Sequence, residues 1–238
     1  MKCAIFSDVH SNLEALHTFR ENASHAGVSK YWMLGDIVGY GANPQEVCDE
    51  IFSFSDVVIK GNHDQAISDD SLLDWFNEEA KEAIIWTRSK LNTQTIQKLV
   101  NLPYLHTETE IILTHSSPDN PKEFTYIYDW NGASKAFKAF SNKICFIGHT
   151  HLPQLFSNAL NKAIYLEEGT YQLDRNDRYI ISSGSIGQPR DNDTRLSFGI
   201  FDDQNYTYQL MRIPYPKEET AKKIRKAGLP RYFADRLL

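Results

Sequence analysis

Three short apolar runs open the chain, Lys2–Phe6, Lys30–Leu34 and Asp56–Ile59, each halted by a polar turn. Runs this short and this apolar predict buried strands. Between the first two, apolar residues recur at helical spacing from about Asn12 to Ala26; Ser11 and Glu14 form an S-x-x-E capping box at its start and Gly27 ends it. Between the second and third, Asn43 caps a helix with Pro44 at its first position, where the missing N–H costs nothing. This alternation predicts right-handed crossovers and a largely parallel sheet.

Ser71 to about Leu91 predicts one long helix, with Leu72, Trp75, Phe76, Ala80, Ala83, Ile84 and Trp86 at helical spacing. A second helix runs from Thr93 to Asn101 and is stopped by Pro103. We read this stretch, about 68–102, as a helical cap-like insertion in a single domain spanning 1–238. Strands resume at Ile111–Thr114 and Ile144–Ile147, with a helix around Ala133–Phe140 between them. From Gln154 to Arg212 strands alone follow, at Ile164–Glu167, Arg178–Ser182, Ser197–Phe201 and Tyr206–Met211. Turns such as Asp202-Asp203-Gln204-Asn205 predict antiparallel pairing there. Two sheets with helices outside them is the packing this order favours, and Pro216 and Gly228 bracket a last helix.

Composition narrows the class. Of 238 residues 41% are hydrophobic and 24% charged, which excludes disorder, collagen and a bare coiled coil. Lys+Arg number 25 against 31 Asp+Glu, a net charge of −6, so bulk nucleic-acid binding is not expected. That balance leaves room for a small phosphorylated substrate held through metal. Cys3, Cys48 and Cys145 are too few and too scattered for a disulfide framework, which points to a reducing cytosol. No run approaches 18 apolar residues, and Asp8 interrupts the N-terminus before a signal core can form; the expectation is a cytoplasmic protein with no membrane partner. These residues carry no signal of oligomeric state.

The chemistry lies where strands give way to loops. Ser7-Asp8-Val9-His10-Ser11-Asn12 follows the first strand, Gly35-Asp36-Ile37-Val38-Gly39-Tyr40-Gly41 the second and Gly61-Asn62-His63-Asp64 the third. Thr114-His115-Ser116-Ser117 and Gly148-His149-Thr150-His151 come later. Carboxyl ends of strands are where open α/β sheets bind ligands. A run of imidazoles and carboxylates there fits a pair of divalent metals. Asp8 and His10, two apart, can grip one ion. His149 and His151 share that spacing but can diverge to different ions, and Asp36, alone after its strand, suits a bridge. Asn62 offers a carbonyl oxygen and His115 a nitrogen. Mixed N/O ligation without thiolate favours Mn, Fe, Zn or Ni over Mg or Ca.

The ordered set D-x-H, G-D-x-x-G, G-N-H-D, T-H and G-H-T-H resembles the calcineurin-like metallophosphoesterases. The resemblance implies a four-layer α-β-β-α sandwich with two mixed β-sheets and a metal site at the C-terminal ends of the strands. It also implies two transition-metal ions, manganese first among them. Asp8, His10 and His151 would hold one metal, Asn62, His115 and His149 the other, with Asp36 bridging. The activity implied is hydrolysis of phosphodiesters, with monoesters as a second ester class, by direct attack of a metal-bridging hydroxide. His63 would be a non-ligand that protonates the leaving alkoxide, and Asp64 would bond its other nitrogen and set its tautomer. Gly35–Pro44 resembles the G-D-x-V-G-Y-G pattern of small prokaryotic phosphodiesterase-like proteins and lacks the D-R-G of the serine/threonine phosphatases and the symmetrical dinucleoside tetraphosphatases, which argues against both. Gly184–Arg190 resembles that branch's S-x-G-Q-P-R turn, whose arginine can meet a phosphate oxygen.

Other assignments stay open in the sequence. Asn12 can cap its helix, bind substrate phosphate, or both. Asn62 can touch substrate as well as metal. Arg190 can bind phosphate or brace its turn against Asp191 or Asp193. Trp75, Phe76 and Trp86 are expected to pack their helix onto the sheet, the alternative being a roof over the site. His17, His25 and His106 lie outside every motif. Lys217–Arg236, with seven basic and three acidic residues, reads as a solvated amphipathic helix. A non-catalytic scaffold or slow nucleotide sensor is the competing function. The natural substrate, from cyclic nucleotides to dinucleoside polyphosphates, is not coded in these motifs.

Overall fold

Buried strands with apolar residues on both faces need a partner layer on each side, and β1 (Lys2–Phe6) shows how this chain supplies them. Cys3 and Ile5 face a second sheet, while Ala4 and Phe6 face helices. In the computed structural model, which describes residues 1–238, this makes a four-layer α-β-β-α sandwich. The helices are α1 (Leu13–His25), α2 (Pro44–Phe54), α3 (Asn62–Ala66), α4 (Glu78–Lys90), α5 (Thr93–Val100), α6 (Trp130–Ala136), α7 (Lys217–Lys226) and α8 (Arg231–Asp235). The remaining strands are β2 (Lys30–Met33), β3 (Val57–Val58), β4 (Leu105–Glu108), β5 (Ile111–Thr114), β6 (Ile144–Ile147), β7 (Pro153–Ser157), β8 (Lys162–Tyr165), β9 (Gly169–Gln172), β10 (Tyr179–Ser183), β11 (Leu196–Asp202) and β12 (Thr207–Ile213).

One sheet runs β3-β2-β1-β11-β12-β9 and the other β4-β5-β6-β10-β7-β8. β1, β2 and β3 are parallel, as are β5, β6 and β10; the strands added outside these trios pair antiparallel. Between the sheets lies a core that includes Trp32, Phe146, Phe201 and Tyr208. α1 and α2 cover one outer face through Phe19, Val47 and Ile51, and α6 covers the other through Ala133 and Ala136. No helix is long and apolar enough to cross a membrane.

Local chemistry corrects several boundaries. Asn12, not Ser11, caps α1: its side chain accepts from the Ala15 N–H, while Ser11 sits at φ 56° in the left-handed region. Asn43 occupies the N-cap of α2, but its amide donates to Glu46 instead of capping the backbone. The single helix expected over Ser71–Leu91 is two pieces, a 3-10 turn at Asp70–Trp75 and then α4, because Phe76 is extended and Asn77 starts a new helix by accepting from Ala80. Asp129 likewise starts α6 earlier than expected. β4, β7, β9, α3 and α8 were not foreseen; β7 opens on a proline and β4 and β9 are short edge strands with mixed polarity.

Candidate metal centre and active site

Parallel strands deliver their C-terminal loops to one edge. β1 delivers Asp8 and His10, β2 Asp36, β5 His115, and β6 His149 and His151. β3 leads into α3, whose first turn carries Asn62, His63 and Asp64. All of these side chains except that of Asn62 are buried. Asp8, His10, Asp36, His149 and His151 each hold a positive φ, between 48° and 69°. Non-glycine residues in that region cost about 1–2 kcal/mol each and cluster at functional sites. Gly61 lets two loops close: a Cβ there would land on the Asp36 carboxylate.

Two donor clusters result, Asp8–His10–His151 and Asp36–His115–His149, with the atoms of each within 4.8 Å of one another. Asp36 also belongs to a third grouping with His10 and His63, so it stands between the two. His10 Nε2 lies 3.2 Å from His151 Nε2, and His115 Nε2 lies 3.2 Å from both His149 Nδ1 and Asn62 Oδ1. Carboxylate oxygens of Asp8 and Asp36 sit 3.3–3.9 Å from these nitrogens.

The tautomers decide what fits there. His10 Nδ1 is 3.0 Å from the Val38 carbonyl, His115 Nδ1 2.7 Å from that of Leu34 and His151 Nδ1 2.5 Å from that of Gln188. A carbonyl only accepts, so each Nδ1 carries the proton and each Nε2 turns a lone pair inward. Lone pairs facing one another at 3.2 Å repel unless a cation lies between them. Two nitrogens bonded to one ion at about 2.1 Å stand roughly 3.0–3.4 Å apart. The donor set therefore fits divalent metal. Burial holds His10, His149 and His151 well below the usual imidazole range, keeping them neutral donors. His115 behaves otherwise: burial opposes its charge, but Asp36 beside it lifts the imidazolium to about 9. Without metal, a proton on His115 answers the Asp36 carboxylate.

Asp64 does not bond His63, contrary to expectation. Its carboxylate accepts the N–H groups of Asp36 and Gly61 at 2.9 and 3.0 Å, and those of Ile37 and Val38 at 3.0 and 3.3 Å. Burial and the charge of Asp36 push it up to about 7, against the pull of those donors. Asp64 thus pins the Asp36 loop to α3. His63 Nδ1 is sealed from solvent with no partner, which leaves Nε2 for the cavity the residue lines; burial lowers its pKa to about 4. Of the two roles open to Asn12, the helix cap is the one observed. Its amide serves Ala15, Gly187, Tyr215 and Thr220, so it is a tie between α1 and α7 and has nothing left for phosphate.

A cavity of about 550 Å³ opens over this floor. Arg190 lines it beside the Tyr40 and Tyr126 rings, with its Nε buried and unpartnered. It does not pair with Asp191 or Asp193, which take Arg212 and Arg195; within the turn its Nη2 donates to Gln188 Oε1 at 3.3 Å. Trp75 and Phe76 line the cavity too: the break before α4 turns Trp75 outward, against the expectation of sheet packing, while Phe76 stays half-buried against the core and meets the His63 ring edge-on at 4.8 Å. Trp86 packs instead against the C-terminal helices. Three contributors escaped sequence reasoning. Tyr126 stacks on His149 at 3.7 Å and fixes its plane. Tyr232 and Phe233 on α8 form a wall, Phe233 lying 4.6 Å from Tyr40, which itself lies 4.5 Å from His10 and His63. The only sequence signal for that wall was the apolar spacing inside the basic C-terminal stretch.

A four-layer sandwich with two His/Asp clusters at its strand ends defines a metal-binding hydrolase of phosphoric esters. The chain belongs to the calcineurin-like phosphoesterase superfamily, matching the description "Calcineurin-like phosphoesterase superfamily domain" over residues 1–205. An uncharacterised protein of Methanocaldococcus jannaschii is 34% identical over 238 residues, covering 98% of this chain and 96% of its own. The crystal structure of a metallophosphoesterase from Sphaerobacter thermophilus superposes with a TM-score of 0.90 at 36% identity, covering 100% of this chain and 98% of that one. A hypothetical protein from Pyrococcus horikoshii shares the fold, with a TM-score of 0.79 at 20% identity and coverage of 99% and 97%.

Proposed function

We propose that this protein is a dinuclear-metal-dependent phosphodiesterase acting on small phosphorylated substrates, nucleotides among them. The observation that carries the reading is the pair of donor clusters with Asp36 between them. Asp8, His10 and His151 would hold one ion, Asn62, His115 and His149 the other, and Asp36 both. Manganese is the ion we expect, with iron, zinc and nickel accepted by the same donors. Such a pair, when bound, activates water at neutral pH and neutralises phosphate charge.

The chain's own residues do the rest. The carbonyls of Val38, Leu34 and Gln188 hold the imidazoles in the tautomer that donates inward. Arg190, its charge left unmatched by any carboxylate, takes a non-bridging phosphate oxygen. We assign His63, which lines the cavity, to the leaving oxygen; burial keeps its imidazole neutral, so it would protonate that oxygen only once the charge of the bound phosphate raises its pKa. Asp64 keeps the Asp36 loop in place, and Tyr126 keeps His149 in plane. Diester preference is supported by cavity wall well beyond the floor, which gives a second ester group somewhere to lie. Chelator-stripped protein titrated with Mn²⁺ should release p-nitrophenol faster from bis-p-nitrophenyl phosphate than from p-nitrophenyl phosphate. Failure to hydrolyse either with Mn²⁺, Zn²⁺, Ni²⁺ or Fe²⁺ would refute the proposal.

A further inference from the structure

The cavity has two unlike halves. Its floor is ionic, made of the metal donors and Arg190; its outer wall joins Leu72, Trp75 and Phe76 to Tyr232 and Phe233. Trp75 is 73% exposed and Tyr232 50%, so two large rings stand open to solvent beside a site built for charge. Single exposed apolar residues need no explanation, but aromatic rings gathered at the mouth of a polar pocket mark a binding surface. About 550 Å³ is far more than a phosphate fills and lies in the range that takes a whole small molecule, about 300–1,000 Å³.

Polar groups on the same wall narrow the occupant. Asn77 spends its Oδ1 on the Ala80 N–H, leaving its NH₂ without a protein partner. Arg236 lies 5.1 Å over the Tyr232 ring and forms no ion pair. Donors interleaved with aromatic faces suit a flat heterocycle carrying acceptor atoms better than an alkyl chain, which has no π-face and no acceptors. Resting on the phosphodiesterase reading for its floor, we propose that the outer wall is a subsite for the nucleobase of a nucleoside phosphoester, with Trp75 as the stacking anchor. Phosphate on the floor and base on the wall would then fix the substrate at both ends.

The test uses two esters with one leaving group, thymidine 5′-(p-nitrophenyl phosphate) and methyl p-nitrophenyl phosphate, and one binding probe pair, adenosine 5′-monophosphate and inorganic phosphate. Wild-type protein should favour the nucleoside ester through a lower KM. Trp75→Ala should cut that preference about tenfold, the scale of one base–aromatic stack, and Trp75→Phe should restore most of it. By calorimetry on Mn²⁺-loaded protein, Trp75→Ala should shrink the ratio of adenosine monophosphate to phosphate affinity by the same factor. Tyr165→Ala, which removes an exposed ring from β8 outside the cavity, should change neither ratio. Equal handling of both esters by wild type, or an unchanged affinity ratio in Trp75→Ala, would overturn the subsite. Absence of turnover with either ester would instead refute the phosphodiesterase reading, and the affinity ratio would still decide the subsite.

Discussion

Phe233→Ala probes whether the C-terminal helices belong to the active site or merely lie beside it. Phe233 is buried in a cluster of seven residues with Ala83, Ala221, Ile224, Leu229, Ala234 and Leu237. Truncating a buried phenylalanine costs about 3–5 kcal/mol. The cluster is small and borders the cavity, so partial collapse favours the lower end, ~3 kcal/mol. At roughly 2–4 °C per kcal/mol for a chain of this size, the midpoint should fall by about 6–12 °C. Urea denaturation in chelator reads that loss without a contribution from bound metal. Turnover of bis-p-nitrophenyl phosphate at saturating Mn²⁺, below the melting range, should fall as well, because Tyr40 loses the ring that backs it and Tyr40 touches His10 and His63. Phe233→Leu keeps most of the volume and should cost under about 1.5 kcal/mol. If Phe233→Ala lost the expected stability yet turned over like wild type, α8 would be packing only, and the reasoning would fail.

Asp64→Asn should lower metal content and activity together, since an amide NH₂ would face N–H groups that one carboxylate oxygen now accepts, whereas His63→Gln should lower turnover about 10²–10⁴-fold with metal content nearly unchanged. Equal metal content in the two variants by plasma mass spectrometry would return Asp64 to the role of orienting His63. Asp36→Asn should strip metal and activity at once, read by the same pair of assays. Gly61→Ala should give folded protein of low metal affinity, because the new Cβ meets Asp36; retention of full metal content would contradict that close approach. Asn12→Ala should cost about 1–3 kcal/mol through the lost cap and the ties to Gly187, Tyr215 and Thr220, leaving inhibition by inorganic phosphate within about twofold. A tenfold weaker phosphate inhibition would restore a substrate contact.

Apolar runs and polar stops located β1, β2, β5, β6 and β10 closely, because strands buried on both faces leave little choice of residue. The donor residues were legible for the same reason, standing directly after those runs. Pairing across 141 residues, as between His10 and His151, was visible only through the family resemblance. What stayed hidden was set by competition between local bonds. Asp64 had the choice of His63 or four backbone N–H groups, and only the folded loop shows that the backbone wins. Asn12 faced the same choice. The outward turn of Trp75 hinged on Asn77 capping α4, a signal present in the sequence but outweighed by the helical spacing around it.

The left-handed turns at Asp8, His10, Asp36, His149 and His151 bear on how this molecule can be engineered. At such positions glycine relieves a steric conflict that any other side chain must endure, a gain of about 1 kcal/mol per site before its entropic drawback. That drawback, about 0.5–1 kcal/mol, together with the hydrogen bonds that Asp8 and Asp36 accept, leaves glycine little net gain there. Strain and side-chain bonds nearly balance at these places, so a selection for heat resistance alone is close to blind to the loss of a metal donor and needs metal retention as a second criterion from its first round.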